Sequence, residues 1–137
     1  MSFDPYIHFQ GNCRTAMEAY QQVFGGELEV MGYGDMPDAP PELRASPLVM
    51  HSTLRLGGRS LMASDFPPGE GGDPQAAVSI SHEAGTDAEA RRVFAVLADG
   101  GAVVMPYQPT FFSDGFGMVK DKFGTHWMIS APWHPPA

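Results

Sequence analysis

Cysteine occurs once in the 137 residues, as Cys13, which excludes an internal disulfide framework and any multi-cysteine metal knuckle. Positive charge is scarce: eight Lys and Arg stand against sixteen Asp and Glu, a formal net charge of -8. The eight are scattered, and Arg91-Arg92 is the only adjacent pair. Nucleic acid and anionic membranes both require clustered positive charge, so neither is an expected partner. No apolar run approaches the roughly 20 residues of a membrane-spanning helix. Met1-Ser2-Phe3-Asp4-Pro5 lacks a basic segment followed by an apolar core, so no signal peptide is expected. Nothing resembles a Gly-rich nucleotide loop placed after a strand and before a helix. Together these absences imply a cytoplasmic protein, and the length implies a single domain over residues 1–137.

Glycine and proline are plentiful, at 16 and 13 residues, and they punctuate a regular succession of elements. Pro5 to Phe9 reads as a strand entered through a proline. Asn12 is a candidate N-cap for a helix from Cys13 to Phe24, whose apolar positions Cys13, Ala16, Met17, Tyr20, Val23 and Phe24 form one stripe. Gly25-Gly26 ends it, and Glu27 to Tyr33 alternates as a strand. Residues 34–47 are a proline-rich acidic loop. Leu48 to Leu56 is a strand with Val49, His51, Thr53 and Arg55 on one face, joined through Gly57-Gly58 to a strand from Arg59 to Asp65.

Residues 66–75 read as a linker. A strand from Ala77 to His82 follows, then a capping box in which Thr86 caps and Glu89 reaches back. The helix it opens carries Ala90, Val93, Phe94 and Leu97 on one stripe and ends at Gly100-Gly101. Strands are expected at Ala102 to Tyr107, Phe116 to Lys120 and Thr125 to Ala131, with a loosely held tail from Pro132 to Ala137.

Both halves thus read strand, helix, Gly-Gly, three strands. Gly58-Arg59-Ser60-Leu61-Met62-Ala63-Ser64 and Gly124-Thr125-His126-Trp127-Met128-Ile129-Ser130 share the pattern Gly-x-x-apolar-Met-x-Ser. Phe24-Gly25-Gly26 to Met31 likewise resembles Asp99-Gly100-Gly101 to Met105. The chain reads as a duplication, module one about 1–66 and module two about 76–131.

At this point a family resemblance becomes specific. It is carried by Gly11-Asn12-Cys13-Arg14 with Met17-Glu18-Ala19-Tyr20, by Gly34-Asp35-Met36-Pro37, and by Val49-Met50-His51. Leu61-Met62-Ala63-Ser64-Asp65, Met105-Pro106, Phe116-Gly117-Met118 and Asp121-Lys122-Phe123-Gly124 with Trp127-Met128 complete it. On these residues the chain resembles the PhnB-like branch of the vicinal oxygen chelate superfamily of glyoxalases, bleomycin-resistance proteins and extradiol dioxygenases. Members of that branch are often labelled demethylubiquinone methyltransferases. The resemblance implies an α+β fold of two tandem βαβββ modules, a curled, cleft-containing mixed sheet with helices outside, usually completed in a homodimer. In metal-using members the ligands come from the first and last strand of each module. Alignment places those positions at Pro5, at Met62, near Ser79 or Ser81, and at Met128. Proline has no ligating side chain, serine is a poor ligand, and thioethers do not suit hard or borderline divalent ions. No metal and no cofactor is therefore expected.

The residues left to carry function are few. His51, mid-strand, is a candidate proton-transfer group, with a hydrogen-bonded structural role as the alternative. Met62 and Met128 are expected on the former metal face as an apolar floor, with Ser64 beside Met62. Phe112, together with Gln108, Phe111 and Asp114, is a candidate cleft-mouth residue. His8 is expected on the face opposite the ligand positions, and His82 and His126 are expected to be exposed. A relocated metal site would have to draw on His51 with Asp65, His8 or His126. Cys13, at a helix start, has no base near it in sequence and reads as a buried apolar residue. The expected function is binding of a small, apolar or aromatic molecule without a metal. The alternative is a divalent-metal lyase, isomerase or dioxygenase with a rearranged site.

Overall fold

In the computed structural model, which describes residues 1–135, the chain divides into two compact units, Met1–Pro74 and Gln75 onward. Unit 1 contains β1 (Tyr6–Phe9), α1 (Cys13–Phe24), β2 (Glu27–Gly32), a 3-10 turn (Tyr33–Asp35), the short α2 (Pro41–Arg44), β3 (Val49–Leu56) and β4 (Arg59–Asp65). Unit 2 contains β5 (Ile80–Glu83), α3 (Asp87–Ala98), β6 (Ala102–Gln108), β7 (Phe116–Lys120) and β8 (His126–Ser130). The fold is α+β, with one four-stranded mixed sheet in each unit.

The two sheets have the same wiring. Strand order is β1-β4-β3-β2 in the first and β5-β8-β7-β6 in the second. In each, the first strand runs parallel to the last and the other pairings are antiparallel. The amphipathic helices explain why one face of each sheet is covered. On α1 the stripe Cys13, Ala16, Met17, Tyr20 and Val23 is buried, and it packs against β2, β3 and β4. Ile7, Phe9, Leu54 and Ala63 meet it from the sheet. Burying a side chain such as Met17 or Val23 stabilises the unit by about 1.5–3 kcal/mol. On α3 the buried stripe is Ala90, Val93 and Leu97, with Phe94 half-buried against Tyr107.

Glycines after the helices mark the duplication in three dimensions. A Cβ on Gly26 would collide with the Arg55 carbonyl, and one on Gly101 would collide with the Lys120 carbonyl. Glu27 pairs with Arg55 and Ala102 with Lys120, so the two glycines are equivalent. The expected match of Met31 with Met105 fails. The register of β6 shifts between Val103 and Met105, which brings Met105 opposite Met118. Its counterpart in β2 is Glu29, opposite Thr53, whereas Met31 lies opposite His51.

Three other expectations change. Thr86 Oγ1 accepts from the Glu89 amide at 3.1 Å, but the Glu89 carboxylate pairs with Arg92 instead of returning to the cap. The 34–47 loop holds a 3-10 turn and a helical turn begun by Pro40-Pro41, and Arg44 Nε donates to the Ala39 carbonyl at 2.9 Å. The tail is pinned: Trp133 donates from its amide to Glu83 and from Nε1 to Ser130, each at 2.7 Å. The last expected tail residues, 136 and 137, lie outside the described residues. No helix among the described residues is long and apolar enough to cross a membrane.

Candidate functional site

With α1 on one side of the first sheet, strand alternation decides what the other side presents. Pairing aligns Tyr6, Met62, Thr53 and Glu29 in one row across β1, β4, β3 and β2. In the neighbouring row His8 stands opposite Ser64, and His51 stands opposite Met31. Ile7 and Phe9, the alternate residues of β1, are buried on the α1 side. The sheet face away from α1 therefore carries Tyr6, His8, His51, Met62, Ser64, Thr53 and Met31.

Two alignment-based placements are corrected by this register. The residue level with Met62 is Tyr6, not Pro5, and His8 shares the face of Met62 and His51 instead of opposing it. In unit 2 the level partner of Met128 is Ser81, which resolves the choice between Ser79 and Ser81. The unit 2 row runs Ser81, Met128, Met118, Met105 across the four strands, so three thioethers lie on neighbouring strands of one row.

The side chains of the first face are linked. Tyr6 Oη lies 3.0 Å from His51 Nδ1, and Thr53 Oγ1 lies 3.1 Å from His51 Nε2. Rings continue the array: Tyr6 is 5.6 Å from His51 and 5.1 Å from His8, and His8 stacks on Phe66 at 5.6 Å. Tyr6 is 39% exposed while Thr53 is 7% exposed, with His51 and Met62 half-buried between those extremes. Tyr6 was not singled out by sequence reasoning. Its signal was present, because Ile7 and Phe9 are the apolar alternates of β1 and leave Tyr6 and His8 to the other face.

The remaining candidates separate from this group. Ser64 is on the face but only 7% exposed. Phe112 belongs to unit 2, in a ring cluster with Phe111, Phe116 and Trp133 at 5.2, 5.4 and 4.9 Å. Asp114 is exposed beside His134. His82, expected to be exposed, is half-buried, and burial lowers its pKa against an opposing pull from Glu89.

Asp65 proves to be an anchor. Its carboxylate is 2% exposed and accepts from the Gly11 amide at 2.8 Å, the Cys13 amide at 3.0 Å and the Val49 amide at 2.9 Å. Asn12 makes no side-chain cap, so the negative charge at the start of α1 arrives from the end of β4. Tyr33, whose hydroxyl donates to the Asp65 carbonyl at 3.0 Å, has a raised pKa through burial and through Asp65. Cys13 is fully buried, and burial pushes its thiol up to about 11. No three His, Cys, Asp or Glu side chains converge in a metal-holding group among the described residues.

Compared with known proteins, residues 1–130 match the family described as 3-demethylubiquinone-9 3-methyltransferase. The chain is 32% identical to Protein YjdN of Escherichia coli K12, with 99% of each chain covered. Among solved structures it resembles protein PA1353 of Pseudomonas aeruginosa, at 41% identity and a TM-score of 0.86, covering 96% of this chain and 97% of that one. A Bacillus cereus PhnB protein, also described as a 3-demethylubiquinone-9 3-methyltransferase, follows at 26% identity and a TM-score of 0.75, covering 96% and 100%. The fold alone is shared with a glyoxalase/bleomycin resistance protein/dioxygenase family enzyme of Burkholderia phytofirmans, at 14% identity and a TM-score of 0.61, covering 93% and 95%.

Proposed function

The chain belongs to the PhnB-like family described as 3-demethylubiquinone-9 3-methyltransferase, with the glyoxalase fold, and from that premise we propose that it binds a small aromatic or apolar molecule without a metal. The observation that carries this reading is the linked group on the sheet face away from α1. Phe66, His8, Tyr6 and His51 form a run of rings beside the half-buried Met62. Tyr6 and Met31, 39% and 45% exposed, add apolar surface to the same face.

Divalent-metal chemistry does not fit the donors at the level positions. Tyr6 with Met62, and Ser81 with Met128, offer a phenol, a hydroxyl and two thioethers, whereas Mg²⁺, Mn²⁺ and Zn²⁺ take carboxylate, imidazole or thiolate. A nucleotide-dependent transferase is also poorly supported. The backbone amides at the start of α1, which would hold a phosphate, are engaged by Asp65.

A homodimer is part of the same reading, since Val103, Val104 and Met105 along the outer strand β6 are 50%, 57% and 40% exposed. Light scattering on the purified protein tests it, and a monomer at micromolar concentration would remove that part. Binding is tested by calorimetric titration of planar aromatic compounds against Met62→Glu, with Val96→Glu on the exposed side of α3 as the control. Met62→Glu is expected to abolish binding. Equal affinity in both variants contradicts the proposal.

A further inference from the structure

Resting on that binding reading, we propose that Tyr6, His51 and Thr53 form a proton-accepting chain, so that the site takes hydroxyl-bearing aromatic ligands as their phenolates. The geometry is a continuous path. With His51 carrying its proton on Nε2, Tyr6 Oη–H donates to Nδ1 across 3.0 Å and Nε2–H donates to Thr53 Oγ1 across 3.1 Å. Both ring nitrogens are thus engaged by hydroxyls, which fixes the ring orientation. The path is graded in exposure: Tyr6 is 39% exposed at its outer end and Thr53 is 7% exposed at its inner end. A ligand meets the phenol first, and the imidazole lies behind it.

The proton balance closes without a further reactant. The ligand O–H gives its proton to Tyr6 Oη as Tyr6 gives its own to His51 Nδ1. The products are a ligand phenolate, a neutral Tyr6 and an imidazolium whose Nε2–H still donates to Thr53. The new anion and cation face each other across the Tyr6 hydroxyl, and charge-assisted hydrogen bonds of this kind are the strong ones. On β2, Glu29 is the row partner of Thr53 and is paired with Arg55 of β3 at 3.1 Å. Glu27 stands opposite Arg55 in the next row. On β1, His8 stacks on Phe66 and meets Tyr6 at a tilt, while β4 contributes Ser60, Met62 and Ser64, none of them ionisable. Tyr33 interacts electrostatically with Tyr6, Asp65 and Glu70, and its hydroxyl donates to the Asp65 carbonyl.

Ligand class follows from the same residues. The Phe66–His8–Tyr6 rings supply a stacking wall, Met62 supplies a soft apolar contact, and the chain supplies one acceptor at the rim. A planar ring with one acidic hydroxyl satisfies all three.

The test uses para-nitrophenol, whose phenolate absorbs visible light and whose phenol does not, and nitrobenzene, which stacks but has no proton to give. Titrations run on the full chain at a pH where the free probe is mostly protonated. Wild type is expected to bind both, and para-nitrophenol is expected to show the phenolate band on binding. Tyr6→Phe and Thr53→Val should keep nitrobenzene affinity and lower the bound phenolate-to-phenol ratio about tenfold, one unit of apparent pKa. His51→Gln should abolish the band, with circular dichroism confirming the fold, and Val96→Glu on the exposed side of α3 should change nothing. A phenolate band at wild-type amplitude in Tyr6→Phe or His51→Gln overturns the chain. So does binding of the probe in its protonated form, an outcome that leaves the binding reading intact. Failure of both compounds to bind overturns the two together.

Discussion

Replacing Asp65 should cost unit 1 a large part of its stability, and the size of the loss follows from three amides. The Cys13 and Val49 amides that bond the carboxylate are buried, while the Gly11 amide is partly buried and can turn to water. A hydrogen bond to a charged group contributes about 1.5–3 kcal/mol. Counting only the two buried amides gives about 3–6 kcal/mol for Asp65→Ala, against a typical total of about 5–15 kcal/mol. Asp65→Asn is more discriminating, because shape is kept. Its carbonyl can still serve Gly11 and Cys13, but its NH₂ then faces the Val49 N–H, donor against donor, for a loss of about 1.5–3 kcal/mol. Urea unfolding followed by circular dichroism and extrapolated linearly measures both. A loss within about 0.5 kcal/mol for either variant, the range of an ordinary surface change, would refute the reasoning. It would also release Asp65 for another role, such as metal binding.

Gly26→Ala should lower the melting temperature more than Gly58→Ala. Gly26 has φ +91° and a backbone carbonyl where its Cβ would go, whereas Gly58, at φ +76°, has open space and bears only the left-handed strain of about 1–2 kcal/mol. Cys13, fully buried with its thiol pushed up to about 11, should react with a disulfide reagent only at the rate of unfolding; fast labelling of native protein contradicts its burial. His82 should make unit 2 acid-sensitive. Burial lowers its folded pKa, so below about 6.5, the unfolded value, the unfolded chain binds the extra proton and stability falls as pH falls. His82→Gln is expected to flatten the dependence of urea midpoint on pH from about 6.5 downward, and an unchanged slope counts against it.

Local chemistry made much of the fold readable. The α1 boundaries follow from an apolar stripe and a Gly-Gly stop, and the β3–β4 hairpin follows from alternation around Gly57-Gly58. Thr86 could be named as a cap because its partner amide is three residues away. The misreadings share a longer range. Asn12 looks like the cap of α1 by position, yet Asp65, at the end of β4, supplies the acceptor. His8 was assigned to the wrong face because a helix-anchored alignment counts residues through the Gln10–Asn12 turn, where a one-residue difference reverses every side chain of a strand. The likeness of Met105 to Met31 is one of residue type alone: the offset at Glu27 and Ala102 puts Met105 level with Val30, and the register shift in β6 moves it on to Glu29. The tail was read as loose because its hydrogen bonds, Trp133 to Glu83 and to Ser130, are made to other strands.

By itself, the sequence determined that this chain is duplicated, that each half alternates around one helix, and that Met62 and Met128 occupy corresponding places unsuited to hard metal ions. Those properties rest on period, spacing and side-chain chemistry, which need no partner. Only the tertiary structure decided that Tyr6, His51 and Thr53 meet. β1 reaches β4 through parallel pairing across more than forty intervening residues, and the register of such a pairing is set by packing over α1 and by the Asp65 anchor. A hydrogen bond acts over about 3 Å, so which hydroxyl finds which imidazole is settled only when those strands are laid side by side.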